Sequence, residues 1–199
     1  YALWKVVGDC DGSINDFNEA VRNWPQKERG TYIDLMLRLG LVWSDCKGDQ
    51  AKAISINSEI IRLLPTDSAA YSNRAKAKGD MGDLDGAIQD FDTALRLAKT
   101  DGSRAIYYNG RALTWQDKGE LDRAFADFDQ AVRLDPKQPL YVGGRGVIWR
   151  LKGDLTRALA DQGRAVALDK EDRLALTRRG DTYRYKGDLE LAIADYRAS

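Results

Sequence analysis

The residue types that most often carry acid–base and metal chemistry are scarce in this sequence. Its 199 residues include no histidine and only two cysteines, Cys10 and Cys46. Histidine is the common general base near neutral pH and a common zinc ligand, so its absence removes the usual catalytic triads and zinc sites. We therefore expect that the chain is not an enzyme and that it holds neither a metal nor a cofactor.

Three short motifs could still indicate chemistry, and each has a plainer structural interpretation. Residues 9–12, Asp-Cys-Asp-Gly, resemble the start of a calcium loop, but the later ligands are missing and a helix start fits better. The glycines within residues 143–146 fall inside a predicted helix and follow no strand, which argues against a phosphate-binding loop. Cys10 and Cys46 lie near two predicted turns and could form a disulfide, although unpaired thiols are the favoured interpretation.

Charged residues recur at a fixed spacing, with an arginine eight residues before a glycine and an aspartate eight residues after it in four places. The four pairs are Arg74 with Asp90, Arg111 with Asp127, Arg145 with Asp161, and Arg179 with Asp195. Capture of a ligand by these arginines is the alternative, but four equivalent copies favour a structural role. We predict that each pair forms an ion pair between two neighbouring helices.

The elements that would position these side chains are helical hairpins repeated along the chain. Residues 118–136 have close copies at residues 81–99 and 152–170, and a shortened copy at residues 186–199. The second residue of each copy is a glycine, typical of a left-handed helix end, followed by an acidic residue that can cap the next helix. The turn glycines are spaced by 40, 34, 37, 34 and 34 residues, and they are Gly8, Gly48, Gly82, Gly119, Gly153 and Gly187. We expect the extra residues, at 28–33 and 102–104, to lengthen the connections between hairpins.

The small and large residues around each glycine resemble the signature of the tetratricopeptide repeat family. In the unit at residues 105–138 the matching positions include Ala112, Trp115, Ala124, Phe128 and Pro136. The resemblance implies an all-α fold, a right-handed superhelical solenoid of antiparallel helix hairpins, as a single array over residues 1–199. Its predicted parts are an incomplete unit at 1–27, an insertion at 28–33, units at 34–67, 68–101, 105–138 and 139–172, and a truncated unit at 173–199.

Departures from that signature locate the parts expected to pack least tightly. Asn57 and Gln162 stand where the family has an aromatic residue. We expect looser packing in the first full unit and in the second helix of the fourth.

The resemblance also implies a binding surface, because the first helices of such arrays line a concave groove that accepts peptides. Helical spacing maps this groove to Arg38, Val42, Asn73, Lys76, Asn109, Leu113, Gln116, Val147, Arg150, Asp181 and Arg184. The predicted function is a non-enzymatic scaffold that binds a peptide or partner protein. The alternative is a regulatory or substrate-recruiting domain of a larger enzyme or signalling protein.

One subtype of the family grips the carboxylate tail of chaperones with a clamp of lysine, asparagine and arginine. Asn73 matches one clamp position, but Val42, Ile106 and Gly110 stand where polar members are needed. We therefore expect no chaperone-tail adaptor.

Charge and hydropathy narrow the range of partners. The 31 basic and 31 acidic residues cancel, which argues against a nucleic-acid partner, and no apolar run is long enough to enter and cross a bilayer.

Leu189, Ile193 and Tyr196 would be uncovered at the last predicted helix, which suggests end-to-end self-association. The unfinished first and last units suggest a piece of a longer or processed protein. A cytoplasmic location is favoured, with a periplasmic or secreted one as the alternative if a signal peptide was removed.

Overall fold

The structure is a computed structural model that describes residues 9–23 and 29–199, without the side chain of Arg29. This part of the chain consists of eleven α-helices and contains no strand, so the predicted all-α class is confirmed. The helices group into two compact units, the first ending at Ala98 and the second beginning at Lys99. The predicted helix before Gly8 and residues 24–28 of the predicted first unit and insertion lie outside the described residues.

The first unit contains α1 to α5. Their bounds are α1 Cys10–Asn23, α2 Arg29–Asp45, α3 Gln50–Leu63, α4 Ser68–Asp80 and α5 Leu84–Leu97. α2 pairs with α3 and α4 with α5, and α1 packs on α2. The apolar faces of these helices bury a core that includes Ile14, Ile33, Met36, Leu39, Val42, Ile56 and Ile60. Burial of such a stripe is what holds an amphipathic helix in place.

The second unit contains three hairpins built from α6 to α11. Their bounds are α6 Asp101–Asp117, α7 Leu121–Leu134, α8 Pro139–Leu151, α9 Leu155–Leu168, α10 Arg173–Lys186 and α11 Leu189–Ala198. α6 pairs with α7, α8 with α9, and α10 with α11. The first helices of these hairpins also contact one another in order, α6 with α8 and α8 with α10. Neighbouring hairpins therefore place their first helices side by side.

The hairpin turns have the chemistry that the sequence predicts. At the α6–α7 turn Gly119 has φ +82°, a left-handed conformation that side chains disfavour, and its N–H donates to the Gln116 carbonyl at 2.9 Å. At the start of α9 the Asp154 side chain accepts from the Arg157 N–H, which satisfies one of the free donors of the first turn.

The described extra residues of the two longer repeats, 29–33 and 102–104, lie in helices, so the expectation that they lengthen connections is wrong for these residues. α2 and α6 have 17 residues each, whereas α4 and α8 have 13. Residues 102–104 form the first turn of α6 because Thr100 caps it and Asp101 forms an ion pair with Arg104 at 2.7 Å. The insertion therefore adds a helical turn. Residues 29–33 belong to α2 in the same way.

Cys10 and Cys46 form a disulfide, so the favoured interpretation of unpaired thiols is wrong. Cys10 is the first residue of α1 and Cys46 follows the last residue of α2, which brings their Cα atoms to 6.0 Å. An ion pair of 2.7 Å between Lys47 and Asp11 lies beside it. Asp9 accepts from the Gly12 N–H at 2.8 Å and thus caps α1, which confirms the helix-start interpretation of this motif.

Glycines inside the first helices allow close approach to the second helices. A Cβ atom on Gly144 would fall against the Phe128 ring, and one on Gly180 would lie 2.8 Å from the Tyr196 ring. Gly40 faces Asn57 and Ile56 in the same way.

Within the described ranges no helix is both long and apolar enough to cross a membrane.

Candidate functional site

The four arginine–aspartate pairs of the sequence lie in contact in the structure. In each pair the arginine is on the first helix of a hairpin and the aspartate is on the second. The guanidinium donates through Nε and Nη2 to both carboxylate oxygens, at 2.6 to 2.8 Å. Such two-point hydrogen bonds fix the geometry of both side chains.

Two of these arginines also reach the preceding hairpin. Arg74 donates through Nη1 to the Ser58 hydroxyl at 3.2 Å, and Arg145 donates through Nη1 to Asp129 at 2.8 Å. Burial acts to raise the pKa of Asp90, but hydrogen bonds from Arg74 and Lys78 outweigh it and hold that pKa below its usual value. The hydrogen bond from Arg145 to Asp161 raises the pKa of Arg145. These charges are therefore engaged in joining helices.

The residues predicted to line a groove lie on the first helices of the hairpins, and the structure places them in two sets. In the first unit Arg38 forms an ion pair with Asp34 at 2.8 Å, and Lys76 forms one with Asp45. Asn73 is half-buried. The charged members of this set are thus bound by the chain's own carboxylates.

Val42 does not belong to an exposed surface, and its placement in the groove is corrected. Its exposed fraction is 0%, because it packs in the core of the first unit with Met36 and Leu39. Helical periodicity gives the direction of a side chain but does not show which neighbours cover it.

The second set defines what we call the first-helix face of the second unit. Its members are Asn109, Leu113 and Gln116 on α6, Val147 and Arg150 on α8, and Asp181 and Arg184 on α10. Leu113 is 38% exposed, Arg184 is exposed, and Gln116 and Val147 are half-buried. Asp181 accepts from the Tyr196 hydroxyl at 2.8 Å, so this carboxylate is already engaged with α11.

Two polar atoms of this face are inaccessible to solvent and have no hydrogen-bond partner among the described residues. They are the Asn109 amide oxygen and the Arg150 Nε. Buried polar atoms in folded proteins are nearly always bonded, so such atoms are informative.

Sequence reasoning missed two residues of this face, Leu174 and Arg178. Leu174 is 46% exposed and stands at the place that Ile106 and Leu140 occupy in the two preceding first helices. The 34-residue spacing of these three aliphatic residues was the available signal. Arg178 lies across Gly143. The signal available in the sequence was this glycine, because a position without a side chain leaves room for a side chain of a neighbouring helix.

The described residues offer binding groups in place of a metal-binding cluster. No group of three or more histidine, cysteine, aspartate or glutamate residues is arranged to hold a metal ion in the part of the chain that the structure covers. What the first-helix face offers is a mixture of exposed aliphatic groups, amides and guanidinium groups.

Comparison with protein families gives consistent matches. One model described as a tetratricopeptide repeat matches residues 72–139 and 116–169, and a second matches residues 175–199. Among curated proteins, tetratricopeptide repeat protein 36 from Bos taurus is 40% identical over 58 residues, which is 29% of this chain and 31% of that protein. The Xenopus tropicalis protein of that name is 44% identical over 54 residues, 27% of each. The matches thus span about a third or less of these relatives.

Solved structures extend the likeness over more of the chain. The Cut9–Hcn1 structure of the APC/C hetero-tetramer gives a TM-score of 0.80 at 20% identity, covering 94% of this chain and 36% of that chain. The protein TTC0263 from Thermus thermophilus, described as a thermophilic tetratricopeptide repeat protein, gives 0.70 at 21% identity, covering 83% and 88%. PilF from Pseudomonas aeruginosa gives 0.74 at 16% identity, covering 85% and 76%. At these identities the likeness shows the fold, a helical solenoid of hairpins.

Proposed function

Because the chain belongs to the tetratricopeptide repeat family, we propose that it is a non-enzymatic scaffold for protein–protein interaction, which binds a peptide or partner protein on its first-helix faces. The fold is consistent with such a scaffold. The first-helix face of the second unit is the better candidate of the two, because the first unit's Arg38 and Lys76 are already engaged with carboxylates of the chain.

The observation that carries the proposal is the exposure of aliphatic side chains at one place in three consecutive first helices. Ile106 is 56% exposed, Leu140 36% and Leu174 46%. Leu113 and Val147 lie further along the same helices. Exposed aliphatic groups arranged in a row, with amides beside them, are typical of surfaces that accept another polypeptide.

A comparison of two leucines tests this proposal. Leu113 on the first-helix face and Leu168 on α9 are exposed to nearly the same extent, 38% and 39%. Each would be changed to serine in an affinity-tagged chain, and proteins retained from a cell extract would be quantified by mass spectrometry. We expect Leu113→Ser to reduce the retained partner at least about fivefold, as loss of a buried leucine contact of about 1–3 kcal/mol implies.

Leu168→Ser is the control for the general loss of an exposed leucine, and far-UV circular dichroism would verify that both variants remain folded. Equal retention of every protein by the wild-type chain and by Leu113→Ser would exclude this face as the binding surface.

A further inference from the structure

Two arginines on the first-helix face of the second unit, Arg150 and Arg178, differ from the arginines of the helix-joining pairs. Arg111, Arg145 and Arg179 each donate to both oxygens of an aspartate. Neither Arg150 nor Arg178 forms an ion pair with a carboxylate of the described chain. In a unit whose structural arginines are bonded at two points, this difference indicates a different role.

Arg178 is held in place by the backbone of α8. Its Nη1 donates to the Leu140 carbonyl at 3.3 Å, a long hydrogen bond. The guanidinium lies across Gly143, where an added Cβ would be 3.3 Å from Nη1. Burial lowers the pKa of Arg178, and Asp172, which caps α10, opposes this only by its charge. Most of the five N–H donors of this side chain therefore remain available to an acceptor.

Arg150 and Asn109 supply two further polar atoms on the same face. The Arg150 Nε is a donor and the Asn109 side-chain oxygen is an acceptor, and neither has a partner among the described residues. Both atoms are inaccessible to solvent in this structure, so a partner reaches them only when the half-buried side chains of Arg150 and Asn109 shift. An incoming group that bonds them would remove the cost of leaving them unpaired.

Two of the three exposed aliphatic residues lie beside Arg178. Leu140 supplies the carbonyl that Arg178 bonds and also one of the three exposed aliphatic side chains. Leu174 lies one helical turn before Arg178 on α10. The acidic residue that defines this face on α10, Asp181, is engaged by Tyr196. Apolar contact and unpaired positive charge therefore occur together on this surface.

We propose that the first-helix face of the second unit recognises a polypeptide segment that combines aliphatic with acidic side chains. Its aliphatic groups pack on Leu113 and on the row of Ile106, Leu140 and Leu174. Its carboxylates accept hydrogen bonds from Arg178 and Arg150. Charge complementarity decides the chemistry of the partner, because an acidic segment satisfies the two unpaired guanidinium groups whereas a basic one would add repulsion. The inference rests on the proposed function of this face.

Selection from a random library of 12-residue peptides displayed on phage, with the full chain as bait, tests the inference. We expect the selected peptides to be enriched in aspartate or glutamate together with leucine, isoleucine or valine. Their affinity would then be measured by isothermal titration calorimetry on the wild-type chain and on Arg150→Gln, Arg178→Gln and Leu113→Ser. Arg133→Gln is the matched control, because Arg133 is an exposed arginine on α7 outside this face.

We expect Arg178→Gln and Arg150→Gln each to weaken binding about tenfold to a hundredfold, as the loss of one charged hydrogen bond implies, and Arg133→Gln to change it less than about threefold. Circular dichroism would verify the fold of each variant. Acidic peptides bound equally by the wild-type chain and both arginine variants would overturn the inference.

The outcomes separate this inference from the proposed function. Peptides that depend on Leu113 but lack acidic residues would overturn the acidic-partner inference and leave binding on this face supported. A selection that yields no peptide dependent on Leu113 would count against both.

Discussion

At the scale of single residues, two kinds of buried polar group affect the stability of the fold. Buried charged groups are hydrogen-bonded to their partners, whereas a few buried amides have atoms without a partner. Arg111 and Asp127 have side chains that are 21% and 7% exposed, so removal of one member leaves the other in a poorly solvated place. A buried charge without its partner is costly, whereas replacement of both members by apolar groups often is not.

We expect Arg111→Met to lower the free energy of unfolding by about 2–4 kcal/mol, and the double variant Arg111→Met, Asp127→Leu to recover most of that loss. Urea unfolding followed by circular dichroism would measure both. Arg133→Met removes an exposed arginine from Asp129, which keeps its hydrogen bond to Arg145, and should cost less than about 1 kcal/mol. Equal losses of unfolding free energy in Arg111→Met and Arg133→Met would show that burial of an ion pair does not increase the cost of removing its arginine.

The pair of Arg74 and Asp90 predicts a pH dependence of known sign. The pKa of Asp90 in the folded chain lies below its usual value of 3.8, so ionised Asp90 stabilises the fold above that pH. The contribution is lost as the pH falls through the folded pKa. The difference in unfolding free energy between the wild type and Asp90→Asn should therefore be about 2–4 kcal/mol at pH 7 and should shrink below about pH 4.

Urea titrations at a series of pH values from about 7 down to about 2.5 would measure this difference across the range in which the carboxylate titrates. A gap between the two proteins that is independent of pH would show that Asp90 is not held ionised by Arg74 and Lys78.

Gln162 is the clearest unsatisfied residue of the second unit. Its exposed fraction is 0%, and neither end of its amide has a hydrogen-bond partner among the described residues. Gln162→Met has nearly the same shape without the polar atoms, so we expect it to stabilise the chain by about 1–3 kcal/mol. Asn57→Leu should gain less, because the Asn57 amide already donates to the Ala53 carbonyl at 2.8 Å. Thermal unfolding of both variants would measure the difference, and a destabilised Gln162→Met would contradict the expectation.

At the scale of helices, the glycines of the hairpins show which contacts set the distance between axes. Gly144 on α8 faces the Phe128 ring of α7, whereas nothing lies within 4 Å of a Cβ added to Gly163 on α9. The two glycines are both inside helices, so their intrinsic effects on helix stability are comparable.

We expect Gly144→Ala to destabilise the chain by about 1–3 kcal/mol through overpacking, and Gly163→Ala to stabilise it by about 0.5–1 kcal/mol. Chemical unfolding of the two variants would measure these changes. Two changes of the same sign would show that helix propensity outweighs the contact with Phe128.

The disulfide constrains helix α1. It closes a loop of sequence separation 36 and joins the start of α1 to the end of α2, beside an apolar contact that includes Ile14. A loop of this length implies a loss of about 3–4 kcal/mol when the bond is removed. We expect Cys10→Ser with Cys46→Ser to raise hydrogen exchange throughout Cys10–Asn23 more than in Leu84–Leu97 of the same unit. Unchanged exchange in α1 would show that its apolar contacts suffice.

At the scale of the whole molecule, what the sequence could predict depends on what is repeated. The four Arg–Asp pairs, the turn glycines and the helical hairpins recur several times, so chance agreement is improbable and the contacts could be named from spacing alone. Features that occur once were harder to predict. The disulfide depends on the ends of α1 and α2 meeting, and the burial of Val42 depends on which neighbours cover it.

The added helical turns show the same limit. Residues 102–104 look like an inserted connection when repeats are aligned, and only the capping contacts of Thr100 and Asp101 show that they continue α6. The unpaired state of Arg178 is likewise a property of its surroundings. It follows from Gly143 and the Leu140 carbonyl, which are 35 and 38 residues away in the sequence.

Both members of each of the four repeated Arg–Asp pairs lie within a single hairpin, sixteen residues apart. A hairpin copied or exchanged as a whole would therefore keep the main counter-charge of its arginine, and only an added contact such as that of Arg145 with Asp129 would have to be matched at the junction. The array could thus have grown by duplication of hairpins that each already contained this pair, and shorter or longer versions of this chain could be engineered by the same operation.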